Sequence, residues 1–444
     1  MNQGLGQLRA WGRSGVDGVS DLGVSLLVSS LRALTWIEDR TASWPQARRD
    51  LAFDTRMFWR ARWRPASALA VLAGLTILGG VYVATQAPEK TSPPVMMANG
   101  APNPRPRLPP RPAPGKPPEA LQKRLDELAT NYRETVGIAV ADCSEGWMAQ
   151  VAGDAPFPQQ SVSKLWVAMT TMDALDQGKL SLDQAVVLGP QDRSVFFQPI
   201  SHKIGATGYA TTLRDLVRRA LIESDNAAND KLLSEVGGVD AVADMLARKN
   251  LGGIRMGADE KNLQAKIAGL TWSPEMGVGG NFKDARAKLP DSVRDAAMKE
   301  YLDNPLDGAT PAGLATALMA LKRGELLSAE STDTFLATMS EARTGPRRLK
   351  GGLPSGWSIA HKTGTGQDWR GGSIGINDVA VLTAPDGRSY AVVVLMKRTT
   401  KPVPARLAFM QQVSKAVVTS WESERDGARK TLASLRPGES SGGR

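Results

Sequence analysis

Cysteine and histidine are almost absent: the 444 residues contain one Cys and two His. Cys143 on its own excludes a disulfide framework and a thiolate metal cluster. His202 and His361 on their own argue against a His-based zinc centre. The formal net charge of +10 suggests a polyanionic partner until it is localised. Residues 1–65 hold ten Arg against six acids, and residues 86–118 hold five basic residues against one acid. That leaves residues 119–444 at only +2, so nucleic acid is excluded as the partner.

Charge is also missing from residues 66–84, ASALAVLAGLTILGGVYVA. At ~1.5 Å per residue this run spans roughly 28 Å, the thickness of a bilayer's hydrocarbon core. RMFWRARWR precedes it at residues 56–64, and no Lys or Arg follows until Lys90. The asymmetry predicts a single-pass inner-membrane anchor over residues 66–85, with residues 1–65 cytoplasmic and the rest of the chain in the periplasm. A cleaved signal peptide does not fit, because 65 residues precede the run. The cytoplasmic segment is Arg- and Trp-rich, which suits a helix lying on the inner leaflet or a docking segment for a partner.

Residues 86–118 carry 12 of the 28 Pro and read as a semi-stiff spacer. From residue 119 to 423 the pattern becomes globular. LQKRLDELATNY predicts an amphipathic helix, and VGIAVADC with WMAQVAG predicts a hairpin. Helical patterns dominate residues 162–327. Strands return at WSIAHKTGTG, INDVAVLTA and SYAVVVLMK, with Pro385-Asp386-Gly387 turning the last pair. A helix over residues 404–422 closes the pattern, and residues 424–444 read as a disordered tail. Strands, helices, strands, helix describe one α+β domain whose sheet is split in sequence.

Three short motifs carry chemistry. Ser161-Val162-Ser163-Lys164 opens an apolar helix, so hydroxyl and amine lie on one face at i and i+3. Ser224-Asp225-Asn226 follows the helical pattern TLRDLVRRALIE and combines a proton-relaying hydroxyl with an amide-binding carboxamide. His361-Lys362-Thr363-Gly364-Thr365-Gly366 ends a strand predicted over residues 357–360. There Lys362 offers a fixed positive charge, and the glycines leave room for a substrate along the strand edge. Each motif alone has a common structural use, as an N-cap or a basic residue before a turn.

In this order and spacing the three motifs resemble those of the serine β-lactamases and penicillin-binding proteins. The surrounding FPQQSVSK, TLRDL, DGATPAGLATAL and NDVAVLTAPDG are family-like as well. The resemblance implies an antiparallel sheet with flanking helices plus an all-helical subdomain, a monomeric catalytic domain, and no metal or organic cofactor. It implies β-lactam or D-Ala-D-Ala-type peptide substrates. By motif, Ser161 is the nucleophile, Lys164 its base or relay, and Ser224 the proton shuttle to the leaving nitrogen. Asn226 holds the side-chain amide, the backbone N–H groups of Ser161 and Thr365 form an oxyanion hole, and Lys362, Thr363, Gly364 and Thr365 line the carboxylate site. Family members often add an Arg near this strand, for which Arg370 is the candidate.

Glu260-Lys261-Asn262-Leu263-Gln264 stands 36 residues after Ser224 and resembles the E-x-x-L-N motif of class A β-lactamases, preceded by Arg255. In that class the Glu, carried on the Ω-loop, activates the deacylating water. Three departures accompany it: Gln264 replaces the Asn, Ala258 replaces the Arg that pairs with an Asp (here Asp307), and a long insertion follows, including GVGGNFKDARAKLPDSV. A misplacement near 1 Å can cost ~100-fold in rate, so an unclamped loop would favour a wall peptidase over a β-lactamase. The expectation is a β-lactamase, with a penicillin-binding-type peptidase or esterase second and a non-catalytic wall-binding protein third. Phe197 and Trp272 are candidate aromatic walls, with core packing the commoner use of both. His361 is expected to be structural.

Overall fold

The computed structural model describes residues 115–435. The expected cytoplasmic segment (residues 1–65), the anchor (residues 66–85), the spacer up to residue 114 and residues 436–444 lie outside the described residues. Helix α1 (Glu119–Tyr132) buries Leu121, Leu125, Leu128 and Tyr132, the stripe its three-and-four spacing dictates. The hairpin of β1 (Val136–Asp142) and β2 (Met148–Val151) follows as expected, and every residue of β1 is buried. The short β3 (Phe157–Pro158) leads into a 3-10 turn, Gln160–Ser163, and helix α2 (Lys164–Asp176). Buried residues run around the whole circumference of α2, which makes it the central helix of the domain.

The helical half begins after the antiparallel pair β4 (Ala185–Leu188) and β5 (Tyr209–Thr212). The stretch TLRDLVRRALIE divides into α3 (Leu213–Arg218) and a π-helical turn, Arg219–Glu223. Next come α4 (Asn226–Glu235), α5 (Gly238–Arg248) and α6 (Glu260–Ala268). The insertion forms two further helices, α7 (Asn281–Ala287) and α8 (Asp291–Asp303). Strand β6 (Gly308–Ala309) pairs with β3, and α9 (Pro311–Lys322) and α10 (Ala329–Ser340) complete this half.

The chain then returns to the sheet through β7 (Ser358–Gly364), β8 (Asp368–Trp369), β9 (Gly372–Thr383) and β10 (Ser389–Thr399). Neighbours in the main sheet run β2-β1-β10-β9-β7, all antiparallel, with β8 beside β9. Side-chain alternation sorts two cores onto the two faces. Ala139, Val393 and Val381 face the helical half, packing with Leu165, Leu314 and Phe335. Ile138, Val394 and Leu382 face α1 and the last helix, α11 (Val403–Leu435). This is the expected α+β architecture.

Two sequence expectations are corrected here. The motif His361 to Gly364 lies within β7 rather than after it, paired through Lys362 with Val379 and through Gly364 with Asn377. The expected disordered tail, residues 424–444, begins as helix, because α11 continues to Leu435. Arg388 draws Glu424 into a cluster with Asp142 and Glu145, and Trp421 Nε1 donates to Asp386 at 2.8 Å, so tertiary contacts extend the helix past the point where hydrophobic periodicity fades.

Candidate active site

Ser161 sits on a turn that its neighbours pin from several sides. Gln159 donates through Nε2 to the backbone oxygens of Arg255 (2.9 Å) and Asp307 (2.8 Å), and accepts from Trp166 Nε1 (2.6 Å). Gln160 adopts φ +53, a strained conformation costing about 1–3 kcal/mol for a non-Gly residue, and its N–H donates to Asp307 Oδ2 at 2.6 Å. Strand β7 lies directly against this turn. A Cβ on Gly364 would fall 2.4 Å from the Gln159 carbonyl oxygen. The glycine therefore admits the backbone turn that carries Ser161 rather than only leaving room for a ligand.

Lys164 is fully buried and its Nζ donates to Ser161 Oγ at 2.9 Å and to Glu260 Oε2 at 2.7 Å. The i, i+3 spacing thus holds in space, and a hydrogen-bonded chain links hydroxyl, amine and carboxylate. Ser224 follows the π-helical turn in a left-handed conformation, φ +63, which carries its Oγ to Lys362 Nζ at 2.8 Å. Asn226 opens α4, and its Nδ2 donates to Val195 O at 2.8 Å. Ser161, Ser224, Asn226, Glu260, Thr363 and Thr365 line one cleft of about 480 Å³.

Glu260 is the first residue of α6, not a residue of an open loop. Asp259 caps the helix by accepting from Asn262 N at 3.0 Å. Asp230, on α4, accepts from the N–H of Glu260 (2.8 Å) and of Lys261 (3.2 Å) and from Ser194 Oγ (2.8 Å). Glu260 Oε1 accepts from Gln264 Nε2 at 2.9 Å, and the same nitrogen donates to Gln160 Oε1 at 2.8 Å. The longer amide of Gln264 therefore reaches both the carboxylate and the turn before Ser161.

Charge in the site is tightly coupled. Burial alone would raise the Glu260 carboxyl, but the Lys164 ammonium, the Gln264 amide and Lys362 outweigh it and hold the group below its ordinary value. Burial, with the like charge of Lys164, pushes Lys362 well below a normal lysine, which suits an amine that shares a proton with Ser224. Asp230 is raised to about 7 by burial and by the neighbouring Asp259 and Glu260 carboxylates. Among the described residues no group of three or more His, Cys, Asp or Glu is arranged to hold a metal ion.

Asp307, whose Arg partner the sequence lacks, is rebuilt with different chemistry. Its Oδ1 accepts from the Tyr301 hydroxyl at 2.8 Å, its Oδ2 takes the Gln160 N–H, and Gln160 Nε2 donates to the same hydroxyl at 2.5 Å. Tyr301 comes from α8, inside the insertion. Arg255 ties the two ends of the long connection together, donating to Asn304 Oδ1 at 2.7 Å and to the Pro305 carbonyl. The insertion thus supplies the clamp that the sequence appeared to have lost.

Arg370 is corrected. It is exposed, in the turn between β8 and β9, and its guanidinium is taken by Asp295 (2.7 and 2.8 Å) and Asp291 (3.4 Å) of α8, away from the cleft. Arg348 lines the cleft instead. It donates to Gly364 O (2.8 Å), Asn377 O (2.6 Å) and Thr365 Oγ1 (2.6 Å), beside the expected carboxylate site. Nothing in RTGPRRLKGG distinguishes this arginine in sequence. Phe197 lines the cleft together with Phe196, which sequence reasoning missed, whereas Trp272 packs on the cluster of Val195, Ala265, Ala268 and Phe282. His361 is structural as expected: it is buried, with Nδ1 2.9 Å from Asp378 Oδ1. Asp230 had one readable signal, its i+4 spacing from Asn226 on the same helical face.

Comparison with known proteins places the chain among known sequences and folds. Beta-lactamase VEB-1 from Pseudomonas aeruginosa is 27% identical over 269 residues, 60% of this chain and 79% of that protein. Extended-spectrum beta-lactamase PER-1 from the same organism is 27% identical over 323 residues, 71% of this chain and 90% of that protein. A solved beta-lactamase from Chitinophaga pinensis DSM 2588 superposes with a TM-score of 0.54 at 26% identity, covering 68% of this chain and 99% of the other. A class A beta-lactamase structure from Bacteroides cellulosilyticus DSM 14838 superposes with a TM-score of 0.56 at 23% identity, covering 68% and 98%, a likeness of fold. The sequence model of the Beta-lactamase enzyme family matches residues 120–421, and the chain belongs to that family, within the class A-like serine β-lactamases.

Proposed function

We propose that the protein hydrolyses β-lactams through an acyl-enzyme on Ser161 that is resolved by water activated by Glu260. The observation that carries this reading is the continuous chain from Ser161 Oγ through Lys164 Nζ to Glu260, at 2.9 and 2.7 Å, opening on the cleft. Ser161 attacks the lactam carbonyl as Lys164 hands a proton to Glu260 and takes the one from Ser161 Oγ, so that the net transfer runs from the serine to the carboxylate. The N–H groups of Ser161 and Thr365 take the oxyanion, where losing one donor typically costs ~2.7–4 kcal/mol. Ser224, hydrogen-bonded to Lys362, delivers a proton to the departing nitrogen. Lys362, Thr363, Thr365 and Arg348 hold the ring carboxylate, and Asn226 holds the side-chain amide. Glu260, ionised again once the nitrogen has been protonated, then takes a proton from water as that water attacks the ester, and this proton returns through Lys164 to Ser161 Oγ as the serine leaves.

The test follows the intact-protein mass of the full chain mixed with benzylpenicillin. Wild type forms an adduct and clears it with turnover of the drug. Glu260→Gln accumulates the adduct, with deacylation slowed roughly 10²–10⁴-fold by loss of the base. Ser161→Ala forms none. Clearance by Glu260→Gln at the wild-type rate would refute the assignment, and a wild-type adduct that persists for hours would support a D-Ala-D-Ala-type peptidase instead. The charge asymmetry around residues 66–85 supports the companion proposal that the chain is a single-pass inner-membrane protein with its catalytic domain in the periplasm. Protease added to intact spheroplasts should then remove the catalytic domain, and full protection would refute that orientation.

A further inference from the structure

The cleft has a cation that the reaction above does not use. The cleft lining includes Thr363, Thr365 and Arg348, the proposed carboxylate site. The same cleft is lined by Phe196, Gln264, Gln367, Asp368 and Arg286. Arg286 belongs to α7, so it is brought to the site by the insertion that follows Gln264.

Its position is built from the core outward. Phe282 of α7 is buried in the cluster with Val195, Ala265 and Ala268, and the Phe196 ring meets it edge-on at 5.1 Å. The Arg286 guanidinium lies over Phe196, 5.8 Å from the ring centroid. Its Nη1 donates to Gln367 Oε1 at 2.8 Å. Gln367 is itself buried and cannot turn freely, because its Nε2 donates to Gln264 O (2.8 Å) and Gln264 Oε1 (3.0 Å). The arginine is therefore held in place through one of its five N–H donors.

The other charges near the cleft are committed. Arg370 is taken by Asp295 and Asp291, and Arg348 by Thr365 and two backbone carbonyls. Glu223 pairs with Arg219 (3.7 Å) and Arg343 (3.3 Å). Among the described residues the carboxylate that acts on Arg286 is Asp368, which forms no ion pair with it and accepts from Ser373 Oγ. Partial burial and an incompletely answered charge favour a second carboxylate, which a guanidinium binds through two parallel hydrogen bonds.

The acyl-enzyme reading places the substrate's side-chain amide on Asn226, whose own N–H donates to Phe197 O at 2.9 Å, next to Phe196. Asn226, Phe196, Gln367 and Arg286 line one cleft, so a charged substituent on that amide shares the cleft with the guanidinium. Resting on that reading, we propose that Arg286 is a specificity-determining residue that selects substrates whose acylamino side chain carries a carboxylate. Asp368 opposes this selection and limits its strength.

Benzylpenicillin and carbenicillin test this, because they differ by a single carboxylate on the side-chain carbon. The readout is the ratio of kcat/KM for carbenicillin to that for benzylpenicillin, measured on the full chain. Arg286→Gln should lower the ratio roughly five- to tenfold, and the wild-type ratio should fall as salt rises. Asp368→Asn should raise it. A ratio that stays within about twofold in Arg286→Gln overturns the proposal. Non-covalent binding of the two drugs to Ser161→Ala, with and without Arg286→Gln, separates this from failure of the acyl-enzyme reading. If wild type turns over neither drug but the binding ratio still falls with Arg286→Gln, the side-chain subsite stands and the hydrolytic reading fails. If the binding ratio does not move, or neither drug binds, the subsite is wrong.

Discussion

Replacing Tyr301 by Phe removes one hydroxyl from the clamp that closes the long connection around Glu260, and the loss should depend on pH. Tyr301 OH donates to Asp307 Oδ1 at 2.8 Å and accepts from Gln160 Nε2 at 2.5 Å. Burial raises Asp307 from 3.8 to about 6, although the Tyr301 hydroxyl works to lower it. Because the folded value is raised, its stabilising contribution is complete below the unfolded value and is lost as pH rises through about 6, some 3 kcal/mol in all. Below pH 6 the variant meets a neutral carboxyl, and it forfeits two ordinary hydrogen bonds worth about 1–2 kcal/mol. Above pH 6 it leaves an ionised, buried carboxylate with one donor fewer, and the loss grows to about 3 kcal/mol. Urea unfolding of wild type and Tyr301→Phe at about pH 5 and about pH 8 measures the difference. The gap should widen by at least about 1 kcal/mol at the higher pH. An equal loss at both values would show that Asp307 is not ionised against Tyr301, and the clamp argument would fail.

Arg348→Ala removes the cation beside Thr365, so KM for penicillins should rise roughly tenfold while kcat falls less, read by steady-state kinetics; a fall in kcat alone would assign Arg348 to the chemistry instead. Arg388→Ala leaves the fully buried Asp142 without its ion pair and frees Glu145 and Glu424, which should cost about 3–5 kcal/mol in unfolding free energy. A loss below about 1 kcal/mol would mean that Asp142 is held well enough by the N–H groups of Ser144 and Glu145.

The chain's own local geometry made the core of the candidate site readable. Ser161 and Lys164 stand one helical turn apart, so any fold that keeps the helix brings hydroxyl and amine together, and 2.9 Å is the result. The alternation in VGIAVAD and SYAVVVLM likewise specifies strands with two buried faces, and both strands form. Even the conformations at φ +53 and φ +63 fall within or beside the short motifs, at Gln160 next to Ser161 and at Ser224 itself.

Partners brought in from distant segments were not readable, because one arginine or carboxylate looks like another until the path of the backbone is known. Arg370 is nearer the KTG motif in sequence, yet Asp295 and Asp291 on α8 draw it away, and Arg348 reaches the cleft from a connection with no motif at all. Ala258 looked like a lost clamp, but the insertion returned through α8 with Tyr301, a hydroxyl in place of a guanidinium. The same insertion carried Arg286 to the cleft on α7 and Trp272 onto the buried cluster around Phe282. Sequence by itself put Ser161 and Lys164 on one helical face, since spacing along a helix is a covalent property of the chain, and it singled out Ser224 and Glu260 through their resemblance to family motifs. Tertiary structure alone decided which cations face the substrate and what closes the loop around Glu260, since those depend on where long connections run and which buried charges compete for each partner.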